Sequence, residues 1–149
     1  MAARVFLILV SILNGVAGLV CGMLFLVSPD GSLMGFEPLL SVIGTLPLAD
    51  VFFRDLMWIG VAMLLVLGAP NTVAAVMLTR RSAGQYTATL AAGVLLVLWT
   101  GFELVFMYNV PALGYFVVGV LSVLASVYLM RQAAGANAQP ADRADRKSS

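Results

Sequence analysis

The chain has 149 residues, of which 62% are hydrophobic and 10% charged, and its formal net charge at pH 7 is +1. A soluble domain carries about 25% charged residues, so this composition excludes an ordinary soluble fold and indicates a membrane protein. Histidine is absent and Cys21 is the single cysteine, which excludes an intrachain disulfide and a cysteine metal cluster. We interpret Cys21 as a small packing residue.

Four long apolar runs predict the fold class. Each has about 19–23 residues, and one helical crossing of a bilayer needs about 20. Helices are expected, because an open sheet leaves backbone groups unpaired in lipid and four segments cannot close a barrel. We therefore predict an all-α membrane protein. Its domain, residues 1–131, is expected to be an antiparallel bundle of four transmembrane helices with spans at about 5–27, 56–79, 86–108 and 112–130.

The basic residues predict the orientation of these spans. Arg4 precedes the first span, Arg80 and Arg81 lie between the second and third, and four more basic residues follow the fourth. Positively charged loops stay in the cytoplasm, so we expect both termini there and the protein in the inner (plasma) membrane. The opposite side carries Arg54 and an expected outer acidic rim, which consists of Asp30, Asp50 and Asp55.

The two ends of the chain carry separate predictions. The first run begins like a signal peptide, but its apolar core is too long and lacks an Ala-x-Ala-like exit, so we expect it to remain in the mature protein. Residues 132–149 are rich in Ala, Gly, Gln and mixed charge. Because such a segment cannot bury a core, we predict a disordered cytoplasmic tail.

Small residues form stripes on two of the spans. In the first span the stripe places Ser11, Gly15, Gly18 and Gly22 on one helix face, with spacings of four, three and four. Small residues let helices approach closely in lipid, and we favour packing inside the bundle over dimerisation. Asn14 lies beside this face and needs a hydrogen-bond partner on another helix. The fourth span has a similar stripe of Gly119, Ser122 and Ser126.

The connection between the first and second spans is long and apolar. Residues 29–31 (Pro-Asp-Gly) predict a turn, and Glu37-Pro38 and Gly44 predict the start and the end of a short helix. Being too short to span, the segment is expected to form an outer interfacial loop or helix. Two interpretations remain open: a loop that covers helix ends, or a lid over a ligand.

The second span contains a helix-disrupting sequence, Gly68-Ala69-Pro70-Asn71-Thr72. Proline removes a backbone hydrogen bond and clashes with a carbonyl one turn earlier, so we expect a kink or a broken helix. Broken helices sometimes build transporter sites. No matching segment occurs elsewhere in the chain, and we favour a structural kink satisfied by Asn71 and Thr72.

Glu103 is the single charged residue between Ser82 and Met130. It ends a polar stripe of the third span and lies about 7–8 Å below the outer end of that helix, where a charge costs less than at the membrane centre. The stripe consists of Thr89, Gly93, Leu96, Thr100 and Glu103. The candidate polar site within the membrane consists of Glu103, Arg54, Thr100, Asn14 and Asn71.

Two interpretations of Glu103 are open. In the structural one, it pairs with Arg54, or is protonated and hydrogen-bonded by Thr100 or Asn14. In the functional one, its carboxyl binds a proton, a cation or a ligand amine in an outward-facing pocket. The structural interpretation is slightly favoured, because Arg54 is a nearby partner and the sequence offers no second buried acid.

Four short motifs carry a family resemblance. They are residues 29–35 (Pro-Asp-Gly-Ser-Leu-Met-Gly), residues 46–50 (Leu-Pro-Leu-Ala-Asp), Gly68 with Asn71, and Trp99-Thr100 ahead of Glu103. Together they resemble a loose family of small uncharacterised bacterial four-helix integral membrane proteins over most of residues 5–130. The resemblance implies a four-helix topology with an outer loop after the first helix, and no substrate or catalytic residue.

One difference from that family concerns the proposed ion pair. Some of its members have Pro-Gly where this chain has Arg54-Asp55. The resemblance therefore implies that an Arg54–Glu103 pair belongs to a subgroup rather than to the fold.

Three functions are compatible with these residues. The favoured one is a non-enzymatic accessory protein or a bundle that binds a small ligand or lipid. The alternative is a small proton- or cation-coupled transporter that uses Glu103, by analogy with small multidrug-resistance exporters. A lipid-modifying enzyme is less favoured, because the chain has no histidine, one cysteine that we expect to be buried and no metal-ligand cluster. Its catalytic groups could come only from Asp30, Asp50, Asp55 and Glu103.

The predicted membrane fold also indicates the expected partners. They are the lipid bilayer and either a second copy, as a dimer, or another membrane protein. We expect no nucleic acid, cofactor, metal or catalytic residue.

Overall fold

The computed structural model describes residues 1–45, 54–106 and 110–148, with side chains for 1–45, 54–105 and 110–136. Most of these residues belong to five helices, and no strand occurs within the described ranges. The predicted all-helical fold is therefore confirmed. The helices are α1 (Ala2–Val27), α2 (Glu37–Ile43), α3 (Met57–Thr79), α4 (Gln85–Phe106) and α5 (Val110–Ser148).

Four of these helices are long and apolar enough to cross a membrane. They are α1, α3, the Gln85–Val105 part of α4 and the Val110–Ala136 part of α5. In each, only 22% to 33% of the most apolar 18-residue window is buried inside the bundle. Most of the apolar surface therefore faces outward, where lipid rather than water has to contact it. These features indicate a multi-pass membrane protein.

Small residues pack α1 against α3. All members of the α1 stripe are buried, and a Cβ added to Gly15 would lie 2.9 Å from Thr72 Oγ1. A Cβ on Gly22 would lie 3.0 Å from the carbonyl oxygen of Gly60. The two backbones are so close that larger side chains have no room. The stripe serves packing inside the bundle, as the sequence predicts.

The stripe of α5 packs against α4 in the same way. The Ser126 hydroxyl donates a hydrogen bond to Thr89 Oγ1 over 2.9 Å, and both side chains are buried. A Cβ on Gly93 would lie 3.3 Å from Ser122 Cβ, and one on Gly119 would lie 2.9 Å from a Val97 methyl carbon. This second stripe therefore also packs internally.

α3 continues past its proline without a break. Residues Met63–Gly68 are π-helical, and the α-helical part Ala69–Thr79 follows directly. A π-turn widens the helix and accommodates Pro70, which has no N–H to donate. Asn71 Nδ2 donates to the Leu67 carbonyl over 2.9 Å, and Thr72 Oγ1 donates to the Gly68 carbonyl over 2.7 Å. Both side chains therefore bond to backbone of the same helix, each to the carbonyl four residues before it, and the break that the sequence allows is not present.

Residues 28–45, here called the cover segment, pack on one end of the bundle. They contain a 3₁₀ turn at Ser32–Met34 and the short helix α2. Ile43 of α2 is 1% exposed and forms a buried cluster with Phe25 of α1 and Leu56, the residue before α3. The predicted short helix between Glu37 and Gly44 is thus present, and Ile43 anchors it. The end of the bundle on which the cover segment packs is called the covered end below.

α5 extends beyond its expected span. Its helical backbone continues to Ser148, through most of the 132–149 tail for which the composition predicts disorder. Residues 131–136 are exposed and add nothing to the core of the bundle.

Candidate functional site

A cavity of about 240 Å³ opens at the covered end of the bundle. This volume lies between the cavity of about 150 Å³ that holds benzene and the roughly 300–1,000 Å³ of drug-sized sites. Every spanning helix and the cover segment contribute to its wall. The lining residues are Cys21 and Phe25 of α1; Met34, Phe36 and Leu39 of the cover segment; Ile59, Met63 and Leu67 of α3; Leu96, Trp99, Thr100 and Glu103 of α4; and Pro111, Ala112 and Tyr115 of α5.

Helix periodicity explains why α4 supplies the polar part of this wall. Leu96, Thr100 and Glu103 are spaced four and three residues apart and therefore lie on one face. Trp99 is one residue from Thr100 and widens that face. The polar stripe predicted in the sequence thus does reach a cavity, and Glu103 lies in its wall.

Among the described residues, the cavity wall is mostly apolar and has one acidic side chain, Glu103. Glu103 is partly exposed, whereas Thr100 is 2% exposed. The Thr100 hydroxyl donates to the Leu96 carbonyl over 2.7 Å, so its proton is used within the helix and only its oxygen can accept from a ligand. The described lining residues include no basic side chain.

Aromatic rings form much of the remaining wall. Phe25 of α1 meets Phe36 of the cover segment edge to face, with ring centroids 5.7 Å apart, a favourable geometry for aromatic pairs. Trp99 and Tyr115 line the cavity from α4 and α5. The Phe25–Phe36 contact also ties the cover segment to α1.

Local hydrogen bonds hold the first turn of the cover segment. Asp30 Oδ1 accepts from the Ser28 hydroxyl and from the backbone N–H and hydroxyl of Ser32. Hydrogen bonds to the carboxylate hold the pKa of Asp30 below its ordinary value of 3.8, and the one from Ser28 contributes more than those from Ser32. Leu56 N–H donates to the Pro29 carbonyl over 2.8 Å, which joins this turn to the start of α3.

The predicted polar site is only partly assembled in the cavity. Glu103 and Thr100 line it, whereas Asn71 and Asn14 do not lie among the described lining residues. Asn71 is 4% exposed and bonds within its own helix. Asn14 is 6% exposed, and its Nδ2 has no hydrogen-bond partner among the described residues. The interhelical partner expected for this nitrogen is therefore not found there.

The described charged residues predicted at the same end lie in or next to the cover segment and the start of α3. Arg54 is exposed and lies three residues before Met57, the first residue of α3. Asp55 Oδ1 accepts from the Met57 N–H over 2.9 Å, as a carboxylate at a helix N-terminus commonly does. Asp30 and Asp55 of the predicted acidic rim thus each bond to nearby backbone. Asp50, its third member, lies outside the described residues.

Sequence reasoning missed several residues of the wall. Cys21 was expected to be a packing residue, yet its half-buried side chain lines the cavity together with Phe25, four residues later. Tyr115 and Pro111 show the same spacing on α5. The available signal was this spacing of four at the covered end of each helix, but it does not by itself distinguish a cavity wall from a packed interface.

The described residues include no group of three or more His, Cys, Asp or Glu side chains placed to hold a metal ion. Comparisons of the chain with protein-family models, with curated proteins and with solved structures give no match.

Proposed function

We propose that the protein is a non-enzymatic membrane protein that binds a small amphiphilic molecule, or the end of a lipid chain, in the cavity at its covered end. One observation carries this proposal: all four spanning helices and the cover segment meet around a cavity of about 240 Å³, and its described lining residues are apolar except at Glu103 and its neighbours. Ligand sites are typically apolar with a few polar groups that fix orientation. A bundle stabilised only by close packing has no need of such a space.

The second candidate is a small proton- or cation-coupled transporter. The observation that favours it is the position of Glu103 in the cavity wall, since ionisable residues inside spanning segments often mark ion or substrate paths. Binding at this site is a requirement of both candidates. They differ in whether the ligand crosses the membrane.

The membrane topology is part of the proposal. We propose an antiparallel bundle with both termini in the cytoplasm of a cell whose inner (plasma) membrane holds the protein. Residue contacts support the antiparallel order: along α1, Gly15, Gly18 and Gly22 meet residues of falling number in α3, from Thr72 through Gly68 to Gly60. Between α4 and α5 the same order holds, from Thr89–Ser126 to Val97–Gly119. The asymmetry of basic residues supports the orientation.

The partners remain part of this proposal too. The bilayer is the first, and a second copy or another membrane protein is a further one. Both small-residue stripes are occupied inside the bundle, so a dimer would have to use the outward apolar faces. We also retain, as a proposal, membership of the loose family of bacterial four-helix membrane proteins.

The binding proposal can be tested by the fluorescence of Trp99. The chain has two tryptophans, and Trp58 does not lie among the described lining residues. In a Trp58→Phe background, Trp99 becomes the single reporter. The protein is reconstituted in lipid nanodiscs and titrated with the neutral nitroxide 4-hydroxy-TEMPO, whose unpaired electron quenches tryptophan on contact. We expect quenching with a saturable component, because a site fills whereas bilayer partitioning does not.

A matched pair of variants assigns that component to the cavity. Cys21→Phe fills the wall, whereas Met23→Phe adds a ring on the same helix at a side chain that is 53% exposed. The saturable component should disappear in the first variant and persist in the second. Quenching that rises without saturation in the parent protein, or that saturates equally in both variants, contradicts the proposal.

A further inference from the structure

We infer that the cavity selects molecules that carry a protonated amine on a small apolar body, with the ammonium beside Glu103. This inference rests on the proposed binding function and names the ligand class. It is carried by the distribution of charge, aromatic rings and apolar side chains around the cavity.

The described lining residues include one acidic side chain and no basic one. Glu103 supplies a carboxyl group, and no Lys or Arg occurs among the described lining residues; the sequence contains no histidine at all. An attraction between opposite charges is several times stronger at a partly buried position than in water. A cationic ligand therefore gains at this wall, whereas a carboxylate ligand meets a like charge.

Aromatic rings around Glu103 favour a cation further. Trp99 is four residues before Glu103, about one helical turn away, and Tyr115, Phe25 and Phe36 complete the aromatic part of the lining. Aromatic faces attract ammonium groups, tryptophan most strongly. Aromatic residues combined with a carboxylate are thus better suited to an ammonium than to a neutral alcohol.

The cavity also has a polar end and an apolar end along α4, with Glu103 at the first and buried leucines at the second. Leu96 lies seven residues from Glu103, about 10 Å along the helix, and is 1% exposed; Leu67 of α3 is 5% exposed. The ligand's apolar body is therefore expected to point towards these leucines while its ammonium stays at Glu103. The volume of about 240 Å³ limits that body to roughly one ring or one short chain, by comparison with the benzene-sized cavity of about 150 Å³.

Three probes with one ring and different charges test the inference. They are 4-amino-TEMPO, an ammonium at neutral pH, the neutral 4-hydroxy-TEMPO and the anionic 4-carboxy-TEMPO. Each is titrated into the Trp58→Phe protein in nanodiscs of zwitterionic lipid, and saturable quenching of Trp99 gives an apparent Kd. We expect the amine to bind about 5- to 10-fold more tightly than the alcohol, because a charge-assisted hydrogen bond is about twice as strong as a neutral one. The carboxylate should bind most weakly.

Glu103→Gln supplies the decisive variant, and Glu37→Gln is its control. Glu37 is exposed at the start of α2 and does not line the cavity, but the substitution changes the net charge equally. The preference for the amine should disappear in Glu103→Gln, with the affinity for the alcohol changed less than about 2-fold, and should persist in Glu37→Gln. If Glu103→Gln does not fold, the comparison of the three probes on the parent protein still tests the selection of an amine, and equal affinities there overturn the inference.

The outcomes separate this inference from the proposed function. Saturable binding of all three probes with equal affinity, or an amine preference that survives Glu103→Gln, overturns the inference and leaves the binding function standing. Absence of saturable quenching by any of the three probes overturns both.

Discussion

Gly18 of α1 faces Gly68 of α3 so closely that a Cβ on Gly18 would lie 2.8 Å from the Gly68 Cα and 2.6 Å from the Leu67 Cβ. Both glycines are buried. Gly68 also ends the π-helical part of α3, and its carbonyl accepts the Thr72 hydroxyl. This tight contact between α1 and α3 therefore lies at the irregular turn of α3, one residue beyond the cavity-lining Leu67.

The first prediction concerns this contact. Gly18→Ala should destabilise the protein by about 1–3 kcal/mol, because an inserted methyl group in a filled interface forces the backbones apart. Gly114→Ala is the control, since a Cβ there would meet nothing within 4 Å and alanine favours the helix by up to about 1 kcal/mol. Unfolding of both variants by denaturing detergent, followed by circular dichroism, measures the difference. Equal stability of the two variants would contradict the packing described.

Much of this bundle could be predicted because the signals are local. Spans follow from runs of apolar residues, and the stripe containing Gly15 and Gly18 follows from helical spacing alone. The disruption at Pro70 was predictable for the same reason, although its form was not. The proline signal predicts an irregular turn, but the sequence does not show that this turn is the π-helical segment Met63–Gly68.

The cavity could not be predicted in the same way. Cys21 and Tyr115 belong to different helices, and their common role depends on how four helices and the cover segment meet. Each lining residue taken alone also fits an ordinary packed interface. Glu103 was identified because a carboxyl in an apolar run is unusual by itself, whereas its aromatic neighbours carry no comparable signal.

A second prediction compares two buried asparagines. Asn71→Leu should destabilise the protein by about 1 kcal/mol, since the Leu67 carbonyl loses its side-chain donor. Asn14→Leu should be neutral or stabilising, because Asn14 Nδ2 is buried without a partner among the described residues and its removal relieves that cost. The two substitutions are chemically identical, so each controls the other. Greater destabilisation by Asn14→Leu would reveal a partner, such as a bound water.

A third prediction concerns Asp30 and pH. Its pKa is lowered by hydrogen bonds from Ser28 and Ser32 to the carboxylate, so the ionised form stabilises the turn. The contribution is therefore present above the ordinary value of 3.8 and is lost as the pH falls through the lower value in the folded protein. We expect the amides of Met34 and Phe36, which donate to the Gly31 carbonyl, to lose protection from hydrogen exchange between pH 5 and pH 2, after correction for intrinsic rates.

Asp30→Asn provides the control for this effect. Asparagine retains an oxygen that accepts hydrogen bonds but does not titrate. Protection of the same two amides should then be lower than in the parent protein at pH 5 and independent of pH. An unchanged pH dependence in Asp30→Asn would assign the effect to another group.

The last prediction addresses the structural interpretation of Glu103, in which Arg54 is its partner. A double-mutant cycle of Arg54→Ala and Glu103→Gln measures their coupling free energy directly. Arg54 is exposed, so water screens its charge even though Glu103 is partly buried, and we expect a coupling of no more than about 1 kcal/mol. The same cycle with Glu37→Gln in place of Glu103→Gln gives the background from long-range charge effects. A Glu103 coupling above about 2 kcal/mol would make the carboxyl chiefly a structural group. In that case Arg54→Ala should also tighten the binding of 4-amino-TEMPO, because it removes a cation that competes for the same carboxylate.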